Sequence, residues 1–462
     1  MRSRSLLLLL ALFSSPLLAA ELAPGAREEA RDMFEKVIAF KTSQGLAQVP
    51  AMAAYLSDRL RSAGFDEKDI HILPVGETAS LVVRYRGRGK SKPVLLLAHM
   101  DVVTANPAEW QRDPFKLIEE DGYFFGRGTS DVKSEIVAIT TAFMRLRRAG
   151  FQPQRDLIIA FTGDEETTQA TARDLVERHR ELIDADFALN GDGGGGSFAE
   201  DTGKAQLFYL QGAEKSYATF ELTARNPGGH SSQPRHDNAI YELADALKAL
   251  QAHQFPVRWN EWTLGSFAAA GPATGGDLGA AMSRFAADPS DATASARIAR
   301  EHAYVGRTRT TCVATMLKGG HAENALAQTA AATVNCRIFP GTRWEDVRSD
   351  LQRVVGDKVE VKQAGRAFDS VASPLRNDVL KAVTDAVHSV YPGIPIVPDQ
   401  ASYYTDGSVL RAAGIPTYGV SGIFSKESDN FAHGLNERLE IRAFYNSLVY
   451  WERLIRNVAS SK

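Results

Sequence analysis

The sequence is poor in cysteine, with only Cys312 and Cys336 among 462 residues. That excludes a small disulfide-stapled scaffold and a thiolate-rich metal site. It lacks basic runs: 53 lysines and arginines stand against 56 aspartates and glutamates, a formal charge of −3, so nucleic acid is not an expected partner. It also lacks an apolar run of membrane-spanning length, since the unbroken stretch Leu6–Phe13 is too short. No internal repeat is evident, which argues against solenoids and propellers. What is present is 44% apolar and 24% charged residues. That is the balance of a globular soluble chain, long enough for two unequal domains.

Arg2 and Arg4 precede the apolar stretch, and Ser14-Ser15-Pro16 and Leu17-Leu18-Ala19-Ala20 follow it. This order is that of a secretory signal over residues 1–20, so an exported, periplasmic mature chain without membrane attachment is expected. An uncleaved anchor is the alternative. In such a chain Cys312 and Cys336, about equally far from Asn324 in two alternating segments, could meet across a hairpin as a disulfide. Two buried free thiols are the other reading.

The chain is organised around Val94–Asp101. Four large apolar residues read as a strand buried on both faces, ending abruptly in His99-Met100-Asp101. The pattern recurs where Leu157–Phe161 runs into Gly163-Asp164-Glu165-Glu166. Between them lies the turn-rich Gly126-Arg127-Gly128-Thr129-Ser130-Asp131, expected to open a helix over Asp131–Arg148. In open α/β sheets, ligands gather at the carboxyl ends of strands. These ends are therefore expected to converge on a two-metal hydrolytic site.

Around this centre the spacing predicts helices over Glu28–Phe40, Val49–Ala63, Thr171–His179, Asn377–Tyr391 and Ile441–Val458. Ile70–Leu73, Ser80–Tyr85, Phe187–Leu189, Ile394–Val397 and Pro416–Val420 read as strands. After Gly212 the texture changes. Tyr217–Ala224, Thr310–Leu317, Thr329–Phe339 and Val359–Gln363 read as strands, the first three by their alternation, and Asn238–Ala252 and Trp344–Val355 as helices. This describes a small antiparallel sheet backed by two helices. The expected fold is α/β, a mixed and mostly parallel sheet flanked by helices, over residues 21–213 and 369–462. An α+β domain over 214–368 is inserted into it. Within that domain Phe255–Tyr304, rich in alanine and glycine and with some helical stretches, cannot be placed from sequence.

Zinc takes histidine and carboxylate ligands, and a catalytic site keeps a position open for water. The candidate donors are His99, Asp131, Glu166, Asp192 and His433, all at strand ends or in glycine-rich turns. Adjacent residues at a strand end point in opposite directions, so Glu166 can ligate while Glu165 faces the water as base. Taken singly, His-x-Asp is more often a solvated loop and Asp-Glu-Glu an acidic surface turn. Gly193–Gly196 could be a linker, and Gly228-Gly229-His230-Ser231-Ser232 an ordinary turn. Their joint order at the ends of buried strands raises the odds.

The ordered set Ala98–Asp101, Gly126–Asp131, Asp164–Glu166, Gly228–Pro234 and Asn324…Arg337 resembles the metallopeptidase family of carboxypeptidase G, aminoacylase and succinyl-diaminopimelate desuccinylase. The resemblance covers nearly the whole mature chain except Phe255–Tyr304. It implies that His99 and Asp192 bind one metal, Glu166 and His433 the other, and that Asp131 bridges both. Asp101 would orient His99. Glu165 would be the general base, passing a proton to the leaving amine. His230 would reach a neighbouring subunit's site and steady the oxyanion. Asn324 and Arg337 would grip the substrate, Arg337 through a carboxylate. The chain departs from the family where Thr167–Thr171 follows the Glu-Glu pair in place of glycines, and where Asp192 follows Asn190-Gly191.

The expected function is a secreted di-zinc hydrolase, cobalt or manganese also fitting such ligands. It would cleave C–N amide bonds of dipeptides or short peptides and work as a homodimer through the inserted domain. An N-acyl amino acid amidohydrolase is the rival within hydrolases. A metal-dependent binding protein without turnover is the rival of another class, and Glu165 argues against it. A single-domain zinc aminopeptidase is a third, less consistent with Asn324 and Arg337.

Overall fold

The computed structural model describes residues 25–460, so the expected signal segment lies outside the described residues. The apolar runs read as strands form the middle of a ten-stranded sheet. Leu157–Thr162, Val94–His99, Phe187–Asn190 and Thr417–Gly419 lie side by side and parallel. They are buried throughout, as unbroken Val/Leu/Ile runs require when both faces are covered. Because the four run the same way, their carboxyl ends share one edge. Thr78–Tyr85 and Ile70–Val75 extend the sheet antiparallel on one side. Ala205–Glu214, Gly195–Phe198 and Ile396–Ala401 extend it on the other.

The helix after the glycine-rich turn starts at Lys133, not Asp131, which leaves Asp131 in the turn where its carboxylate is free of the helix ladder. Glu261–Thr274, Gly276–Ala287, Ala292–Ile298 and His302–Val305 are helical, which places the stretch left open by the sequence. The first packs on the large sheet rather than the small one. Trp262 is fully buried in the main core and donates to the Ser373 carbonyl at 2.7 Å. A Cβ on Gly212 would lie 1.9 Å from its ring, so only glycine fits there. The glycine run is likewise no linker: a Cβ on Gly194, at φ +70°, would lie 2.4 Å from the Gly419 carbonyl oxygen.

The small sheet is antiparallel, ordered Thr311–Gly319, Thr329–Ile338, Ser216–Arg225, Val359–Phe368. Its alternation sends Ala218, Phe220, Leu222, Val334 and Ile338 into a core closed by Leu243 and Leu351 of two helices. Val359–Phe368 runs past the expected end at Gln363, because pairing with Ser216–Arg225 resumes after a register shift and continues to Phe368. Cys312 and Cys336 face each other across the register and are disulfide-bonded. Among the described residues no helix is long and apolar enough to cross a membrane.

Candidate metal centre

His99 ends its strand with the ring buried. Its Nδ1 lies 3.0 Å from the Asp101 carbonyl oxygen and 3.5 Å from the Asp101 carboxylate. The shorter contact fixes Nδ1 as donor and leaves Nε2 for a ligand, so the backbone contributes to the orientation expected of the carboxylate. The Asp101 carboxylate also reaches a second strand end, where its two oxygens accept the amides of Glu165 and Glu166, each at 3.0 Å. It thereby holds the turn that carries both acids.

His99 Nε2 lies 3.1 Å from one Asp131 oxygen and 3.8 Å from Asp192. His433 Nε2 lies 3.1 Å from the other Asp131 oxygen and 2.9 Å from Glu166. Two groups result, His99–Asp131–Asp192 and Asp131–Glu166–His433, whose ligand atoms lie within 4.8 Å of one another in each. Asp131 belongs to both, one oxygen to each side. Glu165 lines the same cavity, whose volume is about 480 Å³.

The electrostatics call for cations. Burial and then Asp192 push Glu165 well above the usual carboxylate range, and burial does the same to Asp192. Burial opposes charge on His99, yet hydrogen bonds to Asp101 and Asp131 raise it well above an ordinary histidine. Asp131 and Glu166 hold His433 up to about 10. Four carboxylates converge here, and Arg438, which lines the cavity, is already paired with Asp429. A buried oxygen of Glu166, Oε1, has no hydrogen-bond partner among the described residues. Nitrogen and oxygen donors in this arrangement, with uncompensated negative charge, fit divalent cations.

Several functional residues were not visible in the sequence. Glu437 is fully buried and accepts the amides of Gly128, Ser130 and Asp131 and the Ser130 hydroxyl. It pairs with Arg127 at 2.7 Å, and Arg127 also donates to the His433 and Gly434 carbonyls. One ion pair thus fixes the loops of Asp131 and His433 together, and holds His433 at φ +63°, unusual for a side-chain-bearing residue. Its only sequence signal is an acid four residues after His433. Asn190 is a positioning residue: its amide donates to the Asp192 carbonyl and its oxygen accepts the Asp192 amide, both at 3.0 Å. Tyr403 and Tyr404 line the cavity wall.

The remaining candidates lie elsewhere. His230 is exposed, its Nδ1 accepting from the Ser232 amide at 3.1 Å. Ser231 donates to the Asn324 carbonyl, so His230 and Asn324 are neighbours. Arg337 sits apart, at the other end of the small sheet, against Tyr217 and Tyr404.

The model of peptidase family M20/M25/M40 matches residues 95–457, which contain every candidate donor. An N-fatty-acyl-amino acid synthase/hydrolase of Xenopus tropicalis is 29% identical over 384 residues, 79% of this chain and 72% of that one. Mouse aminoacylase-1 is 24% identical over 95% of this chain and 97% of its own. A metallo-carboxypeptidase of Sulfolobus solfataricus has the same fold, with a TM-score of 0.72 at 18% identity over 93% of this chain and 99% of that one. With these donors and this match, the chain belongs to peptidase family M20/M25/M40 and is a hydrolase.

Proposed function

We propose that this protein is an exported amidohydrolase that uses two divalent cations, zinc in the first instance, to cleave a C–N amide bond whose amine side carries a free carboxylate. Dipeptides, the C-terminal bond of short peptides and N-acyl amino acids all satisfy that description. The names of the Xenopus and mouse relatives favour the N-acyl arm, and the carboxypeptidase likeness the peptide arm. The observation that carries the reading is Asp131 offering one oxygen to each histidine, with Glu165 alongside.

His99 and Asp192 would hold one cation, Glu166 and His433 the other, and Asp131 both. Bound there, the pair supplies Lewis acidity to the scissile carbonyl and acidifies water. Glu165 takes the proton from the attacking water and returns it to the leaving nitrogen. Asp101 holds the turn that carries Glu165 by accepting its backbone amide. Arg337 receives the substrate carboxylate through its planar fork.

A homodimer completes the site. In the antiparallel register Tyr217 faces Arg337 at one end of the small sheet and Arg225 faces Thr329 at the other, about 25 Å away. His230 and Asn324 lie beyond that far end, so they do not reach this chain's own cations. The edge strand Thr311–Gly319 exposes Val313, Met316 and Leu317, beside exposed Ile240 and Tyr241. An apolar unpaired edge of this kind pairs with a second copy. A twofold there turns the copy end for end and carries its His230 and Asn324 toward the first site. Export is supported by the amino-terminal pattern and by the Cys312–Cys336 disulfide, at home in an oxidising compartment.

The test is a panel of dipeptides, C-terminally varied peptides and N-acyl amino acids, each as free acid and as amide. Hydrolysis confined to free acids supports the reading; equal rates on acids and amides contradict it.

A further inference from the structure

Arg337, Tyr217 and Phe368 occupy one row of the small sheet: Tyr217 is directly opposite Arg337 on one side and Phe368 on the other. Strand alternation turns all three to the face away from the packed helices. Tyr217 and Phe368 are stacked, with centroids 6.5 Å apart. Tyr404 comes from a different element, the loop after Ile396–Ala401 on the large sheet. Its ring meets Tyr217 at 5.7 Å and Phe368 at 5.0 Å, both edge-on. The Arg337 guanidinium lies 4.9 Å from the Tyr217 centroid and 5.6 Å from that of Tyr404. Among the described residues no carboxylate pairs with Arg337. Tyr404 also forms part of the cavity wall that holds Asp131, Glu165 and His433. It is therefore the residue shared by the arginine and the metal centre.

We propose that Tyr404 is a specificity-determining positioning residue, whose ring, with Tyr217 and Phe368, fixes the Arg337 guanidinium at the cavity wall so that it selects substrates with a free carboxylate. This rests on the reading of Arg337 as the carboxylate receptor. The faces of a guanidinium stack on aromatic rings while its N–H groups stay at the edge, in the plane where a carboxylate binds with two oxygens. An arginine on a flexible stem loses rotamer freedom on binding, and a ring on its face removes part of that cost beforehand.

The test compares Tyr404→Leu, Tyr404→Phe and Arg337→Met on one N-acyl amino acid and its carboxamide, with metal content and melting temperature checked for each. The expected result is that Tyr404→Leu raises KM for the free acid about five- to ten-fold and changes kcat far less. The acid-to-amide ratio of kcat/KM falls with it, and Tyr404→Phe, which keeps the ring, restores the ratio. If Tyr404→Leu shifts acid and amide alike, the ring only shapes the wall and the proposal is overturned, while the Arg337 reading stands. If Arg337→Met leaves the acid-to-amide ratio as it was, the receptor itself is misassigned and both fall.

Discussion

Glu165 and Glu166 are neighbours in sequence with different partners. Glu166 meets His433 at 2.9 Å, while Glu165 faces the cavity and Asp101 holds both backbones. One turn thus presents two acids to different surroundings, as the proposed ligand and base roles require. Glu165→Gln should lower kcat by about 10²–10⁴-fold and leave metal content near wild type, read by steady-state kinetics with elemental analysis. Loss of metal alongside activity would make Glu165 a ligand instead. Glu437 acts one step removed. Glu437→Gln takes the charge from a buried pair with Arg127 and should cost about 3–5 kcal/mol in a denaturant melt. Metal affinity should fall by about 10–100-fold in a chelator competition, because Asp131 and His433 lose their common anchor. The candidate donors could be picked out in the sequence because each ends an apolar run or sits in a glycine turn, and the structure brings them together. Glu437 could not, because one acid in a polar loop carries no sign that five hydrogen-bond donors converge on it.

At the scale of elements, strands that run the same way bring His99, the Glu165 turn and Asp192 to one edge. Alternation and apolar runs in the sequence were enough to foresee this. The helical stretch after Ala252 could not be placed from sequence, because what it packs against, Gly212 and Pro398, is far away along the chain. Its return path passes Lys215, which joins the two sheets. Lys215 Nζ donates to the Arg309 carbonyl at 2.9 Å and to the Thr311 hydroxyl at 3.2 Å. Burial, then Arg337, lowers its pKa to about 7 from 10.5. The folded chain therefore holds fewer protons than the unfolded chain between those values. Stability contributed by this group rises with pH across that window and is lost as pH falls toward 7, by roughly 1.4 kcal/mol per pH unit. Urea midpoints of the wild type and Lys215→Met at pH 7, 8 and 9 check this. The wild type should gain on the variant as pH rises, and parallel curves would contradict it.

For the whole molecule, the length of the small sheet separates Arg337 from His230 and Asn324, and the proposed homodimer is what would bring them to one site. Leu317→Glu, on the exposed edge, should give a monomer in sedimentation with metal content retained and kcat reduced at least about 100-fold. A fully active monomer would remove His230 from the chemistry. The catalytic expectations all depend on two cations sharing Asp131. Anomalous diffraction from crystals of the metal-loaded protein measures that directly. Two peaks flanking Asp131, one beside His99 and Asp192 and one beside Glu166 and His433, are the predicted result. A single peak, or peaks away from these residues, would contradict the account.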